Sequence, residues 1–430
     1  MNEKKELPEN MREDSLNEET KCLISSLPSH KDFLGKQLYN YQGCWYYPNT
    51  LQGVLNFQKG FKPQETDIIL ASFPKSGTTW LKALTIALFE RFNNTSSSNH
   101  PLQSDNPHGL VPFLEMSLYH KTSTPDLTKF SSSPRLFSTH MPFHTLQAPF
   151  KDDSSRCKIV YVCRNVKDVL VSQWYFRCAY LGKEVEDKSI LESSFESLCS
   201  GVGYFGPFWE NVLSYWRGSL EDPQHVLFMR YEEIKSEPSA QVKRLAEFLG
   251  CPFTEEEHGS LDKILELCSL RSLSSMEINK TGKTSNNLNH SSFFRKGEVG
   301  DSKNHLTPEM ETKIDMIIEE KYKGSVILEK VMTVYFALEH LLSLKSERFL
   351  GGGAHECGKN RVLCGQNKCS FCTVHSFHRH TAVHDCDPAT EVSRLIPRDP
   401  WHSTYSCDLT LTRVTTRGFE AGSVLELLLS

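Results

Sequence analysis

Short apolar runs alternate with amphipathic stretches along the chain up to about residue 325. The apolar runs cover residues 67–73, 135–139, 157–163 and 225–230, and each has the length of a buried strand. Apolar positions with a helical period fill residues 79–91, 166–180, 208–220 and 242–249. Near-continuous apolar strands that alternate with helices are typical of a parallel sheet covered on both faces. The pattern therefore predicts an α/β fold with a central parallel β-sheet flanked by helices.

The composition changes at both ends of this pattern. Residues 1–22 form a polar N-terminal arm, and residues 23–326 contain all the alternating segments. Beyond a possible helix at 327–350 come three consecutive glycines, and residues 327–430 hold six of the 14 cysteines and seven of the 17 histidines. We therefore expect a single α/β domain at 23–326, followed by an atypical Cys/His-containing C-terminal extension whose folding the pattern leaves open.

Charge and cysteine content narrow the class of protein. The chain has 48 basic and 53 acidic residues, a net charge of −5, so it has no surplus to neutralise a nucleic-acid backbone. The charged first segment contains no apolar leader, and no apolar run reaches the length of a membrane span. We expect a cytoplasmic protein that binds neither nucleic acid nor membrane, with its scattered cysteines reduced.

The loop after the first predicted strand carries candidate chemistry. It reads PKSGTTW at residues 74–80 and leads directly into a predicted helix. Free N–H groups at a helix N-terminus attract phosphate, Gly77 permits a close backbone approach, and Lys75 adds a positive charge. The lysine precedes the glycine, so the loop is not a Walker A motif. A turn that only starts a Thr-capped helix is the alternative.

Further segments accompany this loop. YVCRN occupies residues 161–165 and is followed by Ser172, and FRKGEVG occupies residues 294–300. Four more segments lie between residues 80 and 294, and they read NPHGLVPFLE, RLFSTH, GPFWENVLSYW and YEEIKSEP. Together with PKSGTTWLKAL, these motifs resemble the plant branch of the cytosolic sulfotransferases over about residues 23–325. The resemblance implies a P-loop NTPase-like sulfotransferase fold. It also implies transfer of a sulfonate from 3′-phosphoadenosine 5′-phosphosulfate (PAPS) to a hydroxyl of a small acceptor, such as a flavonoid or brassinosteroid, without a metal.

The resemblance also assigns the nucleotide site. It implies that the 5′-phosphosulfate contacts Lys75, Ser76, Gly77, Thr78 and Thr79, that the adenine contacts Trp80 and Tyr231, and that the 3′-phosphate contacts Arg164, Ser172, Arg295, Lys296 and Gly297. A dianionic phosphate suits a guanidinium, an ammonium and backbone donors acting together. Lys75 is also expected to neutralise the phosphate oxygen from which the sulfonate leaves.

The resemblance implies that His140, directly after residues 135–139, is the general base. An imidazole of ordinary pKa, near 6.5, takes up a proton at neutral pH, so activity should fall below pH 6 to 7. His144 is the alternative histidine. The acceptor pocket is expected to include Trp45, Phe113, Phe143 and Phe205.

Two departures from the family pattern qualify this assignment. Ser138 stands where many animal members have lysine, and Ser302 stands where the family usually has tryptophan, which puts the packing beneath residues 295–297 in question. A catalytically weakened nucleotide-binding protein, or an interaction protein that acts through its C-terminal extension, is therefore the alternative function.

The extension itself carries a weak metal motif. Cys369 and Cys372, with Cys357, Cys364 and nearby histidines, could bind a structural zinc ion, although only Cys369 and Cys372 have a suitable spacing. The sequence leaves the oligomeric state open.

Overall fold

A computed structural model describes residues 9–325, apart from residues 33, 94–98, 131–133, 151–156, 186–187, 258 and 285–287. The predicted helix at 327–350 and the Cys/His-containing extension lie outside the described residues. Within the described part of the chain, no helix combines the length and apolar character needed to cross a membrane.

In the part of the chain that the structure describes, seven strands form two sheets. The strands are β1 (Ser29–Lys31), β2 (Gln37–Tyr41), β3 (Cys44–Tyr46), β4 (Ile68–Ser72), β5 (Leu136–Thr139), β6 (Lys158–Cys163) and β7 (Val226–Arg230). The α-helices are α1 (Glu18–Ile24), α2 (Pro48–Gly60), α3 (Thr78–Glu90), α4 (Pro101–Ser104), α5 (Pro107–Leu110), α6 (Phe143–Leu146), α7 (Val166–Leu181), α8 (Ser189–Ser200), α9 (Phe208–Glu221), α10 (Tyr231–Ser236), α11 (Pro238–Leu249), α12 (Ser260–Leu267), α13 (Leu270–Ser275), α14 (Glu277–Thr281) and α15 (Pro308–Tyr322).

The central sheet is parallel, with the strand order β5-β4-β6-β7. Alternate residues of each strand enter two separate apolar clusters, one on each face of the sheet. On β4, Ile68 and Leu70 pack with helices α3 and α11, whereas Ile69 packs on the face that α7 and α9 cover. Both faces are thus removed from water, which explains why these strands are nearly continuous apolar runs. The predicted α/β fold is confirmed.

The predicted elements agree closely with the observed ones. Each predicted strand of the central sheet loses only one or two terminal residues, and α3, α7 and α9 differ from their predicted ranges by one residue at an end. Helix α11 begins at Pro238, four residues before the predicted start. Proline is favoured in the first helical turn, where its missing N–H leaves no bond unmade, so the apolar stripe begins later than the helix.

The antiparallel sheet β1-β2-β3 is absent from the sequence prediction. Its strands are short, and β1 is exposed along its whole length, so they lack the apolar runs of the central sheet. Strands β2 and β3 are joined by Gln42 and Gly43, both with positive φ (53° and 80°). Two such residues form the tight hairpin turn that suits the twist of paired strands.

Part of the predicted N-terminal arm contacts the domain. The amide group of Asn49 on α2 donates to the carbonyl oxygen of Glu9 at 2.6 Å, and Gln52 donates to that of Ser15 at 3.0 Å. Asn17 caps α1, and Thr20 of that helix is buried. Residues 9–24 therefore pack on α2, although the composition of the arm is polar.

Candidate active site

The four parallel strands all end at one edge of the sheet, and each is followed by a predicted site residue or loop. Strand β4 leads into the loop 73–77, β5 into His140, β6 into Arg164 and β7 into Tyr231. Ligand sites of open parallel sheets lie at the carboxyl ends of the strands. A cavity of about 1170 Å³ opens there.

Most of the residues assigned by resemblance line this cavity. They are Lys75, Gly77, Thr78, Thr79, Trp80, His140, Arg164, Ser172, Tyr231, Arg295 and Gly297. Among the described residues, Ser76 and Lys296 do not line it: Ser76 is fully buried, and the ammonium of Lys296 lies 2.7 Å from a carboxylate oxygen of Asp301.

The loop between β4 and α3 has the shape of an anion cradle. Gly77 has φ 116°, and a Cβ atom there would lie 2.9 Å from a ring carbon of Tyr231. Glycine is therefore required both by the backbone angle and by the aromatic ring beside it. The first-turn N–H groups of α3 have no acceptor within the helix, so they are available to a bound anion.

Three cationic side chains raise the positive charge of the cavity. Burial and the neighbouring positive charges of Arg164 and Arg295 together lower the pKa of Lys75 to about 7. Its Nζ lies 3.9 Å from the ring centroid of Phe176. An ammonium group held at this position without a carboxylate partner favours binding of an anion, which would restore its usual pKa.

Two carboxylates hold the loop that contains Arg295, Lys296 and Gly297. Asp168 on α7 accepts bonds from the backbone N–H groups of Gly300 (2.8 Å) and Ser302 (2.9 Å). Asp301 pairs with both Arg295 and Lys296. Burial raises the pKa of Asp301, but these hydrogen bonds outweigh burial and leave the pKa below its usual value. The loop is thus anchored by Asp168 and Asp301 with serine at position 302.

Two aromatic rings and a guanidinium group pack together in the wall of the cavity. Trp80 and Tyr231 meet edge to face, with 5.5 Å between ring centroids, and the guanidinium of Arg164 lies 4.5 Å from the Tyr231 ring. Arg164 also donates to the carbonyl oxygen of Glu298 at 2.7 Å. These contacts bring the carboxyl ends of β6 and β7 and the loop 295–300 together.

His140 is fixed in one tautomer. Its Nδ1 lies 2.6 Å from the carbonyl oxygen of Ser72, and because a carbonyl only accepts, Nδ1 carries the proton. Nε2 is then an acceptor, and the ring packs between Phe113 (4.7 Å between centroids) and Phe205 (5.3 Å). Burial lowers the pKa of His140 to about 3, outweighing the Ser72 bond, which raises it. The expectation of an ordinary pKa near 6.5 was therefore wrong, because the ring is buried.

Glu115 supports this histidine and was missed from the sequence. It lies in a π-helical turn, Leu114–Leu118, and accepts from the backbone N–H of His140 (2.9 Å) and the hydroxyl of Thr139 (3.0 Å). Burial raises the pKa of Glu115 to about 7, although these bonds lower it. A carboxylate within the apolar run VPFLEMSL was the available signal.

The four predicted acceptor-site aromatics divide into two pairs. Phe113 and Phe205 line the cavity. Phe143 packs on Tyr215 with 5.3 Å between centroids, and Trp45 lies against His30; neither is among the described residues that line the cavity. His144 is exposed and bonds to the carbonyl oxygen of Gln42 at 2.8 Å, so it is not at the site. Phe176 and Phe293, which were not predicted from the sequence, also line the cavity.

The described residues contain no cluster of His, Cys, Asp and Glu side chains suited to a metal ion. The candidate zinc ligands between residues 357 and 386 lie outside the described residues.

A parallel sheet with an anion cradle, clustered cations and a neutral histidine defines a group-transfer enzyme that acts on an anionic donor. Residues 65–326 match the sulfotransferase domain family, and the chain belongs to that family. Its reaction is the transfer of a sulfonate group from PAPS to a hydroxyl acceptor, so the enzyme class inferred from the motifs is confirmed.

Several known proteins are similar to the chain. Cytosolic sulfotransferase 1 of Arabidopsis thaliana is 66% identical over 328 residues, which cover 75% of this chain and 98% of the relative. Cytosolic sulfotransferase 5 of the same plant is 64% identical over 321 residues, 74% of this chain and 98% of the relative. The predicted plant branch is thereby confirmed, and the expected cytoplasmic location agrees with these names.

Solved structures show the same fold. A crystal structure of an Arabidopsis thaliana protein, for which a steroid sulphotransferase activity has been proposed, is 40% identical, covers 75% of this chain and 99% of its own, and has a TM-score of 0.58. A mouse sulfotransferase complexed with PAP is 24% identical, covers 70% of this chain and 99% of its own, and has a TM-score of 0.52.

Proposed function

We propose that this sulfotransferase modifies a hydroxyl of a flat, largely apolar acceptor, such as a flavonoid or brassinosteroid, with His140 as the general base. The observation that carries the proposal is the tautomer of His140. Its Nδ1–H is bonded to the Ser72 carbonyl, so Nε2 accepts from the cavity side. The low pKa keeps this nitrogen unprotonated throughout the physiological range.

The proposed reaction is a single displacement at sulfur. The acceptor hydroxyl gives its proton to Nε2 of His140 while its oxygen forms a bond to sulfur. The bond between sulfur and the phosphate oxygen breaks, and its electron pair stays on the phosphate. Lys75 and the first turn of α3 stabilise the negative charge that grows on this oxygen.

We assign the two phosphate regions of PAPS to the two clusters of cations and donors in the cavity. Residues 75–79 would hold the 5′-phosphosulfate, and Arg164, Ser172, Arg295 and Gly297 would hold the 3′-phosphate, with the adenine stacked on Trp80 and Tyr231 at its side. Lys296 would contribute charge at a distance, because its ammonium is bonded to Asp301. Ser76 would act through its backbone N–H, since its side chain is fully buried.

The lining of the cavity supports an aromatic or steroidal acceptor. Phe113, Phe176, Tyr204, Phe205 and Phe293 all contribute to its wall near His140 and Lys75. Aromatic walls favour flat apolar ligands, and a few polar groups then fix their orientation. The similarity to a protein for which a steroid sulphotransferase activity has been proposed supports the same class.

The test is transfer of labelled sulfonate from PAPS by the full chain to a panel of flavonoids, steroid alcohols and simple phenols. We expect turnover with a flavonoid or a steroid. His140→Ala should lose about 100-fold or more in kcat, the usual contribution of a positioned base, because it keeps the backbone bond to Glu115 but removes Nε2.

His144→Ala is the matched control, because that side chain bonds outside the cavity, and it should keep the wild-type rate. Unchanged dissociation constants for PAP would show that both variants retain the nucleotide site. Nucleotide binding without transfer to any acceptor would instead favour the alternative of a weakened nucleotide-binding protein. Loss of activity in His144→Ala would contradict the assignment of the base.

The domain limits at 23 and 326 remain a prediction. The family match covers residues 65–326.

A further inference from the structure

His108 also lines the cavity, and its hydrogen bonds indicate the tautomer opposite to that of His140. Nε2 of His108 lies 2.9 Å from the hydroxyl oxygen of Thr79, and its Nδ1 lies 3.1 Å from Nζ of Lys82. Lys82 is fully buried on α3, one turn after Thr79. The three side chains form a continuous array from the interior to the cavity, which His108 and Thr79 line.

The surroundings of Lys82 fix the direction of these hydrogen bonds. Its Nζ lies 2.7 Å from the carbonyl oxygen of Val111, which can only accept, and 3.7 Å from the ring centroid of Phe113. Burial lowers the pKa of Lys82, and the charge of Glu115 raises it. As an ammonium, the form that the Phe113 ring attracts, Lys82 has three N–H donors and no lone pair, so it can only donate to His108. Nδ1 of His108 is then the acceptor, and its proton is on Nε2.

The consequence for Thr79 follows directly. Its oxygen accepts from Nε2–H of His108, so its own hydroxyl proton is directed away from that ring. The backbone holds His108 in place, because its N–H donates to the side chain of Asn106 at 2.9 Å, and Asn106 in turn bonds to Asn279 at 2.8 Å.

We infer that Lys82 and His108 are positioning residues that orient and polarise the Thr79 hydroxyl as a hydrogen-bond donor to the phosphosulfate. This inference rests on the proposed function for the identity of the anion. Two of the histidines that line the cavity are then in opposite tautomers: His140 accepts the acceptor proton, and His108 aligns a donor toward the leaving group. Lys82 lies beside Ser138, since both side chains donate to the carbonyl oxygen of Val111.

Kinetics of single and double variants test the coupling. Thr79→Val and His108→Leu should each lower kcat by about 10- to 100-fold, because they remove or disorient one donor to developing charge. PAP, which lacks the sulfonate, should bind with a dissociation constant within about 3-fold of wild type, because most of its contacts remain. His108→Gln should stay within about 5-fold of the wild-type kcat, since its amide N–H can replace Nε2–H.

The double variant separates positioning from simple support of the fold. If His108 acts through Thr79, adding His108→Leu to Thr79→Val should change kcat by less than about 2-fold. Multiplicative losses in the double variant would overturn the inference. Lys82→Met should behave like His108→Leu.

Nitrogen NMR of the histidine side chains gives a readout that does not depend on activity. In the wild-type protein, His108 should carry its proton on Nε2 and His140 on Nδ1. A proton on Nδ1 of His108 would overturn the inference even if the enzyme is active. If the wild type transfers no sulfonate, the proposed function fails, while the NMR result still decides the tautomer.

Discussion

Replacing Lys75 by arginine should remove the alkaline limb of the pH profile for PAPS. In the ligand-free protein, burial and the neighbouring arginines lower the pKa of Lys75 to about 7. The lysine is therefore about half protonated at pH 7 and only about 1% protonated at pH 9. Because the anionic donor binds the ammonium form, kcat/KM for PAPS should fall about 50-fold between these pH values. The charge is present below pH 7 and lost as the pH rises.

Arginine keeps its charge over this range, so Lys75→Arg should show a nearly flat profile, from a lower starting rate. The assay is initial-rate kinetics with varied PAPS and a saturating alcohol acceptor, which does not itself ionise near pH 9. Glu115 also has a pKa of about 7, and Glu115→Gln in the arginine background would remove any residual slope that it causes. An equal alkaline fall in Lys75→Arg and in the wild type would refute the reasoning.

Three further predictions concern the remaining parts of the site. Because burial lowers the pKa of His140 to about 3, kcat should show no decline that arises from His140 with a midpoint between pH 6 and 7; such a midpoint in a kcat profile from pH 5 to 8 that persists in Glu115→Gln would contradict the low pKa of His140. Arg295→Ala should raise the dissociation constant of PAP at least about 10-fold, measured by calorimetry, while kcat at saturating donor changes little, because the 3′-phosphate keeps its charge during transfer; an unchanged constant would argue against its role. Gly77→Ala should weaken PAP binding without unfolding the protein, because its Cβ would lie 2.9 Å from a Tyr231 ring carbon. Thermal melting with PAP titration checks this, and normal affinity would show that the Tyr231 ring moves aside.

The central sheet could be predicted because its strands are buried on both faces. Their apolar runs, such as 157–163, carry the whole signal locally. The small antiparallel sheet could not be found in that way, since β1 to β3 are short and partly exposed. The pair Gln42 and Gly43 was the usable sign of a hairpin there.

The phosphate loop and His140 were assigned because they lie in motifs that are continuous in sequence. The residues that support them were missed because their partners are far away along the chain. Asp168 bonds to Ser302, 134 residues later, and Lys82 meets His108, 26 residues later. Lys82 did leave one sign, as a charged residue within the mainly apolar segment Leu81–Leu88 of helix α3.

The size of the cavity has a consequence for the kinetic order of the reaction. Pockets for one small ligand usually measure about 300–1,000 Å³. The space of about 1170 Å³ extends from the cations near Arg164 to the aromatic wall near His140, without an intervening layer of protein. Donor and acceptor can therefore be present together, and the sulfonate can pass directly between them. We therefore expect turnover through a ternary complex, with double-reciprocal plots at several donor concentrations that intersect.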